Sequence, residues 1–399
     1  KIFVCDPQKR KELENISDKV GSKVLTLDKD GQGSLRSQAN ILSKTFKTID
    51  RQPDDLVALL YTSGTTGRSK GAMLTQNNLL SNAKTLKKLW EVNEDDILIH
   101  ALPIFHTHGL FVALNTALLA GTEVTFLPKF ETTEIIEAMR SSTLLMGVPT
   151  FYTRLLADER LTANLAENMR LFISGSAPLL TETHEEFIRR TGHHILERYG
   201  MTETNMITSN PYNGERRPGT VGKPLPDVEI KINDPQTGRE NANDEIGMIE
   251  VRGPNVFKGY WNMPDKTSLE LRENGYFITG DLGKLSSDGY LSIVGREKDM
   301  IISGGYNVYP KEIEDVLNEL DKIDETAVFG ILDNDFGERV VAAVVMLENE
   351  SFDKSKTEIF VNDKLARYKQ PKEYFVLDSL PRNSMGKVQK NELRKQFSN

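Results

Sequence analysis

The stretch Tyr61-Thr62-Ser63-Gly64-Thr65-Thr66-Gly67-Arg68-Ser69-Lys70-Gly71 follows an apolar run, Leu56 to Leu60, that predicts a buried strand. Residues 63–71 contain three glycines, four hydroxyl side chains and two cations. Glycine lets backbone N–H groups turn around an oxyanion, and hydroxyl groups add hydrogen-bond donors. The spacing differs from that of a Walker A motif. We therefore predict another kind of phosphate-binding loop at the end of a strand, in preference to a solvated surface turn.

Length and composition limit the class of protein. A chain of 399 residues predicts two or more domains. The net charge of -8 argues against a nucleic acid or an anionic membrane surface as the main partner. Cys5 is the one cysteine, which excludes an internal disulfide and fits a reducing compartment. No apolar run is long enough to span a bilayer, so we expect no membrane insertion and a cytoplasmic location. An organellar targeting segment before Lys1 stays an open alternative.

The pattern of apolar residues divides the chain into regions. Up to about residue 200, strand-like runs alternate with helical patterns such as Thr181 to Thr191, which favours α/β layers with largely parallel strands. Thr75 is placed to cap the helix that begins at Gln76. After about residue 212, short strands between Gly, Pro, Asn and Asp turns predict a small β-rich subdomain. Beyond Lys298, helices and strands form a compact α+β unit of about a hundred residues.

Four further segments place reactive side chains at strand ends or in turns. Residues 198–203 close a strand with Arg-Tyr-Gly-Met-Thr-Glu, and the carboxyl edge of a parallel sheet is where α/β proteins bind ligands. Glu203 suits Mg²⁺, which takes few carboxylates. Asp281 and Arg296 suit ribose hydroxyls and phosphates. Lys387 lies in a polar loop near the C-terminus. Each of these residues alone also fits an ordinary surface charge.

The order and spacing of these segments resemble those of the adenylate-forming acyl-CoA synthetases, the ANL superfamily, over essentially the whole chain. The resemblance implies an α/β fold with a large multi-layer N-terminal domain (residues 1–297), which carries a β-rich subdomain and lacks its first part here. A small α+β C-terminal lid (residues 298–399) completes it. The resemblance also implies a two-step reaction. A carboxylate attacks the α-phosphate of ATP with Mg²⁺ to give acyl-AMP and pyrophosphate, and coenzyme A then forms the thioester.

The same resemblance assigns roles to individual residues. The catalytic residues it implies are Lys387, Glu203, Thr202 and His106, with Glu203 as the metal ligand. The residues it implies for the nucleotide and for coenzyme A are Thr62, Ser63, Gly64, Thr65, Thr66, Gly67, Lys70, Gly175, Ser176, Ala177, Tyr199, Gly200, Met201, Asp281, Arg296, Gly304 and Gly305. Lys298 matches the hinge, about which the lid rotates between the half-reactions. That rotation withdraws Lys387 and brings residues 303–307 to the thioester side.

The acid is indicated by Arg198, which stands where many family members have a small residue. A buried guanidinium without a partner is costly, so it fits a substrate with a second carboxylate. Residues 105–111, 147–154 and 210–222 resemble malonyl-CoA synthetases. We expect malonate, with methylmalonate as a second substrate. The expected substrate-binding residues are Arg198, His106 and Ser176, with Arg217 and Arg216 as weaker candidates. The alternative is that Arg198 points outward or pairs with Glu197 or Glu185.

Several alternatives stay open at this point. The chain could use a short or medium fatty acid or an aryl acid, load a carrier protein, or be an inactive truncated family member that only binds ligands. A homo-oligomer is also compatible with the sequence. His106-Thr107-His108 has the spacing of a metal pair, but no nearby Cys or Asp completes a site, so we interpret His106 as lining the pocket and His108 as starting a helix.

Overall fold

The computed structural model describes residues 1–62, 69–383 and 386–398. The chain forms two compact units, Lys1–Gln52 and Pro53–Asn399. In the first unit, β1 and β2 are parallel and helices flank them. The elements of this unit are β1 (Ile2–Cys5), α1 (Arg10–Val20), β2 (Lys23–Thr26) and α2 (Ser34–Asn40). Gly21 has a φ of 60° and ends α1 in the left-handed region that glycine tolerates.

The second unit begins with an antiparallel hairpin of β3 (Leu56–Thr62) and β4 (Lys70–Thr75). The prediction of a buried strand over Leu56 to Leu60 is wrong in its burial, because Leu56, Val57 and Leu59 are exposed. Residues along a strand alternate between its two faces, and here one face, through Ala58, packs on the aromatic cluster around Phe257.

Helix α3 (Gln76–Leu89) starts where the sequence predicts. The side chain of Thr75 accepts from the N–H of Asn78 at 3.2 Å, and the Asn78 side chain accepts from the N–H of Thr75 at 2.9 Å. This reciprocal capping box satisfies two of the N–H groups that a helix start leaves free. The cap therefore sets the direction in which the chain leaves the hairpin.

The central layer is a mixed sheet in the order β11-β10-β9-β8-β7-β5-β6. Strands β6, β5, β7, β8 and β9 are parallel neighbours, whereas β10 and β11 are antiparallel. Its strands are β5 (Ile97–His100), β6 (Glu123–Phe126), β7 (Leu144–Gly147), β8 (Leu171–Ser174), β9 (Leu196–Met201), β10 (Asn205–Ser209) and β11 (Lys223–Pro224). The predicted α/β class with parallel strands is confirmed. The carboxyl ends of β8 and β9 meet at one edge, where ligands bind in such sheets.

Helices form the connections between the parallel strands. They are a π-helical segment (His108–Ala113) that continues into α4 (Leu114–Ala120), then α5 (Thr132–Met139), α6 (Pro149–Leu156) and α7 (Thr181–Thr191). The predicted bounds of α7 agree with the structure. Trp90, Tyr152, Phe172 and Phe187 are fully buried in the core that these helices form with the sheet. Burying each such side chain contributes about 1.5–3 kcal/mol, so the sheet edge that carries the site is held by a large core.

The predicted β-rich region is an antiparallel sheet in the order β12-β13-β14-β15. Its elements are β12 (Glu229–Asn233), β13 (Gly247–Arg252), α8 (Pro264–Glu270), β14 (Phe277–Leu285) and β15 (Leu291–Arg296). In this sheet Asp281 of β14 lies opposite Arg296 of β15. The register therefore brings together two residues that are far apart in sequence.

The last region is α+β, as predicted. Its sheet has the order β17-β16-β19-β18, and β20 pairs in parallel with β19. The elements are β16 (Ile301–Ser303), β17 (Tyr306–Val308), α9 (Pro310–Asn318), β18 (Ile323–Asp333), β19 (Gly337–Met346), α10 (Lys354–Lys364), β20 (Glu373–Leu377) and α11 (Lys390–Phe397). The domain boundary near Lys298 stays a prediction and falls on a 3₁₀ turn, Glu297–Asp299. Among the described helices, none has both the length and the apolar composition required to cross a bilayer.

Candidate active site

The carboxyl end of β9 carries the first group of predicted residues. Arg198 and Tyr199 lie in the strand, and Gly200 comes so close to β10 that an added Cβ would lie 2.0 Å from the carbonyl oxygen of Asn205. Met201, which pairs with Asn205, and Thr202 lead into the turn. Glu203 is buried in this tight turn between β9 and β10. The alternative interpretation of Glu203 as an ordinary surface charge is therefore wrong.

Tyr199, Asp281 and Arg296 form one connected cluster. The Tyr199 hydroxyl donates to Asp281 Oδ2 at 2.5 Å, and Arg296 Nε lies 2.6 Å from Asp281 Oδ1. Burial and the neighbouring Asp281 carboxylate raise the pKa of Tyr199, so the phenol stays protonated. Burial opposes the charge of Arg296, but the anionic groups around it, Asp281 first among them, together outweigh burial and raise the pKa of Arg296. The structure therefore joins the three residues predicted for adenine and ribose.

The hairpin that carries the predicted phosphate-binding loop is described at both of its ends. Thr62 ends β3, and Lys70 begins β4; the predicted residues Ser63, Gly64, Thr65, Thr66 and Gly67, together with Arg68, lie outside the described residues. Lys70 Nζ lies 3.2 Å from the hydroxyl of Tyr260 and 3.4 Å from Glu270 Oε2. Its ammonium also stands 4.4 Å from the centre of the Tyr260 ring. Lys70 is thus held among side chains at the base of the hairpin.

Arg198 is buried, with 3% of its surface exposed. Among the described residues, no hydrogen-bond partner meets its Nε and Nη2 atoms. Burial lowers the pKa of Arg198 to about 9. Gly175 gives the guanidinium its space, because a Cβ there would lie 2.5 Å from Cζ and from Nη1 of Arg198. A charged group with two free donors is therefore held inside the protein.

The alternative pairing of Arg198 with Glu197 or Glu185 is not observed within the described residues. Successive residues of a strand point to opposite faces, and Glu197 lies instead 3.6 Å from His184, on the face away from Arg198. Arg198 also does not point outward. The geometry therefore leaves the guanidinium available for an anionic group that is not part of the protein.

Ser176 and the two histidines lie along the same side of the site. Ser176 has a φ of 74°, a strained value for a residue with a side chain, and its hydroxyl lies 3.3 Å from His108 Nδ1. His108 starts the π-helical segment, as predicted. Burial and the charge of Arg198 hold the pKa of His108 well below its usual range, so it is neutral at pH 7. Burial and nearby Lys387 lower the pKa of His106. Ala177 follows Ser176 in the same bend.

Lys387 reaches this site from the last region of the chain. Its loop is closed by hydrogen bonds to Asn383 at 3.0 Å and lies beside Thr150 at the start of α6. The surrounding protein and the charge of Arg296 lower the Lys387 pKa, with Asp281 opposing and Arg198 adding to the effect. The Lys387 ammonium therefore lies within electrostatic reach of both the Asp281 cluster and the buried Arg198.

Other predicted residues lie in settings that do not support a substrate contact in this arrangement. Arg217 is engaged at the surface by Glu215 and Asp288, at 2.8 and 2.7 Å. Because the two carboxylates already neutralise its guanidinium, the expectation that Arg217 binds substrate is not supported. The Arg216 guanidinium donates to backbone carbonyls, those of Pro211, His194 and Tyr212. Gly304 and Gly305 form the exposed turn between β16 and β17, and Lys298 is exposed in its 3₁₀ turn.

Sequence reasoning missed two residues of the site, Tyr260 and Glu270. The Tyr260 hydroxyl lies 2.9 Å from Glu203 Oε1 and 2.7 Å from Glu270 Oε2. Nothing in the local sequence marks either residue, because Tyr260 lies in an aromatic run and Glu270 ends a short helix. Only the tertiary structure, in which residues 257–261 pack against β4, places Tyr260 and Glu270 next to Lys70.

The donor set fits an Mg²⁺ ion that phosphate oxygens help to hold. Within the described ranges, no group of three or more His, Cys, Asp or Glu side chains is placed to hold a metal ion. Glu203 supplies a buried carboxylate beside Lys70, and Mg²⁺ is commonly held by one or two carboxylates together with phosphate oxygens. The residues present therefore fit an ion that arrives with phosphates.

Comparison with known proteins shows the family of this chain. The model of the AMP-binding enzyme family matches residues 1–261, and that of the AMP-binding enzyme C-terminal domain matches residues 312–387. The chain is 42% identical over 386 residues to a malonate–CoA ligase of Arabidopsis thaliana, covering 89% of this chain and 63% of the relative. It is 37% identical over 354 residues to a long-chain-fatty-acid–CoA ligase of Bacillus subtilis, with 88% and 63% covered. The chain thus spans a little under two thirds of these curated relatives.

Solved structures are similar over the whole chain. ATP-bound MatB from Rhodopseudomonas palustris is 56% identical, has a TM-score of 0.98, and is matched over 100% of this chain and 79% of its own. The apo structure of the same protein has the same identity and coverage but a TM-score of 0.85. The chain belongs to the AMP-binding enzyme family, the adenylate-forming ANL superfamily.

Proposed function

We propose that the protein is a malonyl-CoA synthetase. It activates malonate with ATP to malonyl-AMP and pyrophosphate, and then transfers the malonyl group to coenzyme A with release of AMP. The observation that carries the choice of acid is Arg198, which is buried and has two unpartnered donor atoms among the described residues. The malonate–CoA ligase named above adds support from similarity.

The physical argument rests on the cost of a buried charge. A guanidinium withdrawn from water is destabilising unless an anion meets it. The far carboxylate of malonate supplies two acceptor oxygens to Nε and Nη2, and such paired contacts are strong and directional. A fatty acid would leave the same donors unpaired, and sites of this kind discriminate strongly against ligands that lack the matching group. Methylmalonate carries the same carboxylate and is the expected second substrate.

The nucleotide is proposed to occupy the space between the Tyr199 cluster and Lys70. Each oxygen of Asp281 has a lone pair beyond those used by Tyr199 and Arg296, so it can accept from ribose hydroxyls. Lys70 would contact the outer phosphates. Glu203 would hold Mg²⁺, which when bound neutralises phosphate charge. Lys387 would stabilise the charge that develops between the acyl carboxylate and the α-phosphate.

A lid movement is proposed to separate the two steps. The chain is more similar to ATP-bound MatB than to the apo form, and Lys387 here lies beside the site. Rotation about Lys298 would withdraw Lys387 and bring the turn with Gly304 and Gly305 to the thioester side. Glycines leave room there for the pantetheine arm of coenzyme A. A lid with two working faces explains how one pocket serves two displacements.

The test is an acid panel with the purified protein. Pyrophosphate release and CoA thioester formation are measured with ATP and Mg²⁺ for malonate, methylmalonate, succinate, acetate, butyrate, octanoate and coumarate. We expect the highest kcat/KM for malonate. A higher kcat/KM for butyrate or octanoate would overturn the choice of acid, and no AMP with any acid would support an inactive family member. The cytoplasmic location and a homo-oligomer stay predictions.

A further inference from the structure

Residues 257–261 join the phosphate-binding hairpin to the turn that carries Glu203. On one side this segment runs along β4, with Tyr260 opposite Ala72 in an antiparallel bridge. The backbone hydrogen bonds on that side join Trp261 N to Gly71 O, Met73 N to Gly259 O and Lys258 N to Met73 O, at 2.8–3.0 Å. On the other side, Phe257 N donates to the carbonyl oxygen of Glu203 at 2.8 Å. One short segment thus sets the spacing of both elements.

The side chain of Tyr260 repeats this connection at the charged groups. Its hydroxyl lies 2.9 Å from Glu203 Oε1, 2.7 Å from Glu270 Oε2 and 3.2 Å from Lys70 Nζ. The ring is buried, at 2% exposure, and packs edge-on against Phe257 with centroids 4.8 Å apart. The hydroxyl is therefore held where it contacts the carboxylate and the ammonium group at the same time.

Glu270 contacts both Lys70 and the Tyr260 hydroxyl. Its Oε2 lies 3.4 Å from Lys70 Nζ, and its Oε1 lies 2.7 Å from Lys266 Nζ. Glu270 ends helix α8, and the Tyr260 N–H donates to Thr267 of the same helix at 2.9 Å. The helix therefore places one carboxylate under both Tyr260 and Lys70, which limits the rotamers of Lys70.

We propose that Tyr260 and Glu270 are positioning residues that hold the Lys70 ammonium and the Glu203 carboxylate at a fixed distance from each other. Phosphates and their Mg²⁺ then bind together. The Lys70 ammonium, which would contact the phosphates, and the Glu203 carboxylate, which would hold the metal ion, are already in position before the nucleotide arrives. This inference rests on the proposed function for the identity of the ligand. A hydrogen bond to a charged group contributes about 1.5–3 kcal/mol, so its loss should weaken that binding about 10- to 100-fold.

The test compares Tyr260→Phe with Tyr276→Phe. The first removes one hydroxyl and keeps the ring in its aromatic cluster. The second removes a phenol contact of 2.8 Å to Glu229, from a buried tyrosine of the β-rich region that is outside the site. Calorimetry measures binding of a non-hydrolysable ATP analogue over a range of Mg²⁺ concentrations, and of AMP without Mg²⁺. A separate assay measures thioester formation from supplied malonyl-AMP.

We expect Tyr260→Phe to raise the Kd for the Mg²⁺-nucleotide and the half-saturating Mg²⁺ concentration about 10- to 100-fold. Its AMP affinity and its thioester formation should match the wild type. Tyr276→Phe should leave all four of these quantities unchanged. An unchanged Mg²⁺-nucleotide Kd would overturn the inference, and so would an equal loss of AMP affinity, since that would show a merely structural role. If Tyr260→Phe fails to fold, Glu270→Gln decides: an unchanged Mg²⁺-nucleotide Kd overturns the inference.

These outcomes are separable from the proposed function. If the wild type makes no malonyl-CoA but binds the Mg²⁺-nucleotide in a manner that depends on the Tyr260 hydroxyl, the choice of acid fails and the positioning role stands. If the wild type makes malonyl-CoA and Tyr260→Phe binds the nucleotide normally, the positioning role fails and the proposed function stands.

Discussion

Arg198→Met should change what the protein activates while making the protein itself more stable. The ordinary arginine pKa of 12.5 is lowered to about 9 by burial. At about 1.4 kcal/mol for each tenfold change, the folded state carries a penalty on the order of 5 kcal/mol. The penalty is complete below pH 9, because both folded and unfolded chains are then protonated, and it declines as the pH rises through 9 towards 12.5. Methionine has similar length and no charge, so it removes the penalty.

The same substitution should remove the binding site for the far carboxylate. Two charge-assisted hydrogen bonds, to Nε and Nη2, are lost at about 1.5–3 kcal/mol each, or about 3–6 kcal/mol together. The kcat/KM for malonate should therefore fall about 10²- to 10⁴-fold, while the value for butyrate is unchanged or higher. Thermal unfolding without ligand should give a higher Tm than the wild type, and malonate should no longer raise it.

The assay pairs pyrophosphate release, for malonate and butyrate, with thermal unfolding at pH 7. Arg217→Met is the matched control, because Glu215 and Asp288 already neutralise Arg217 and it should keep the malonate preference. A malonate kcat/KM reduced less than tenfold, or reduced equally for butyrate, would refute the reasoning. A lower Tm for Arg198→Met would show that the guanidinium is stabilised by a partner in the free protein.

Three further outcomes follow from the site. Lys387→Ala should abolish formation of malonyl-AMP but preserve thioester formation from supplied malonyl-AMP; equal loss of both half-reactions would contradict a lid with two faces. Gly175→Ala puts a Cβ 2.5 Å from the Arg198 guanidinium, so the KM for malonate should rise at least about tenfold with the KM for ATP unchanged. A rise in both KM values would indicate general damage to the folded protein. The folded-state pKa of His108 is lowered, so stability should fall as the pH drops below about 6.5, and urea titrations should show a weaker pH dependence for His108→Gln.

Much of the fold was predictable because its signals are local. Thr75 marks the start of α3 by its side-chain chemistry, and the bounds of α7 follow from apolar periodicity, Glu182 near its start and Gly192 at its end. The burial of β3 was not predictable in the same way. The apolar run from Leu56 to Leu60 is the same whether a strand is covered on one face or on both, and only the packing of Ala58 on the cluster around Phe257, with Val57 and Leu59 exposed, shows which applies.

The site divides in the same manner. The residue types at 198–203, and those at 281, 296 and 387, suit nucleotide and carboxylate chemistry, but each alone also fits a surface charge, and it is their order along the chain that predicts a common site. The sequence could not show whether Arg198 lacks a partner, because both Glu197 and Glu185 were possible ion-pair partners. The alternation of strand faces removes Glu197, and the close approach to Gly175 holds the guanidinium inside.

The order of motifs along the chain was enough to predict the family, because the residue types of each motif and the distances between motifs along the chain are properties of the sequence itself. The tertiary structure alone decided which charges are neutralised and which are left free. It showed Arg217 held between two carboxylates and Tyr260 placed between Lys70 and Glu203. Pairing depends on distances of a few ångströms between residues that are many positions apart, and no local pattern of amino acids encodes those distances.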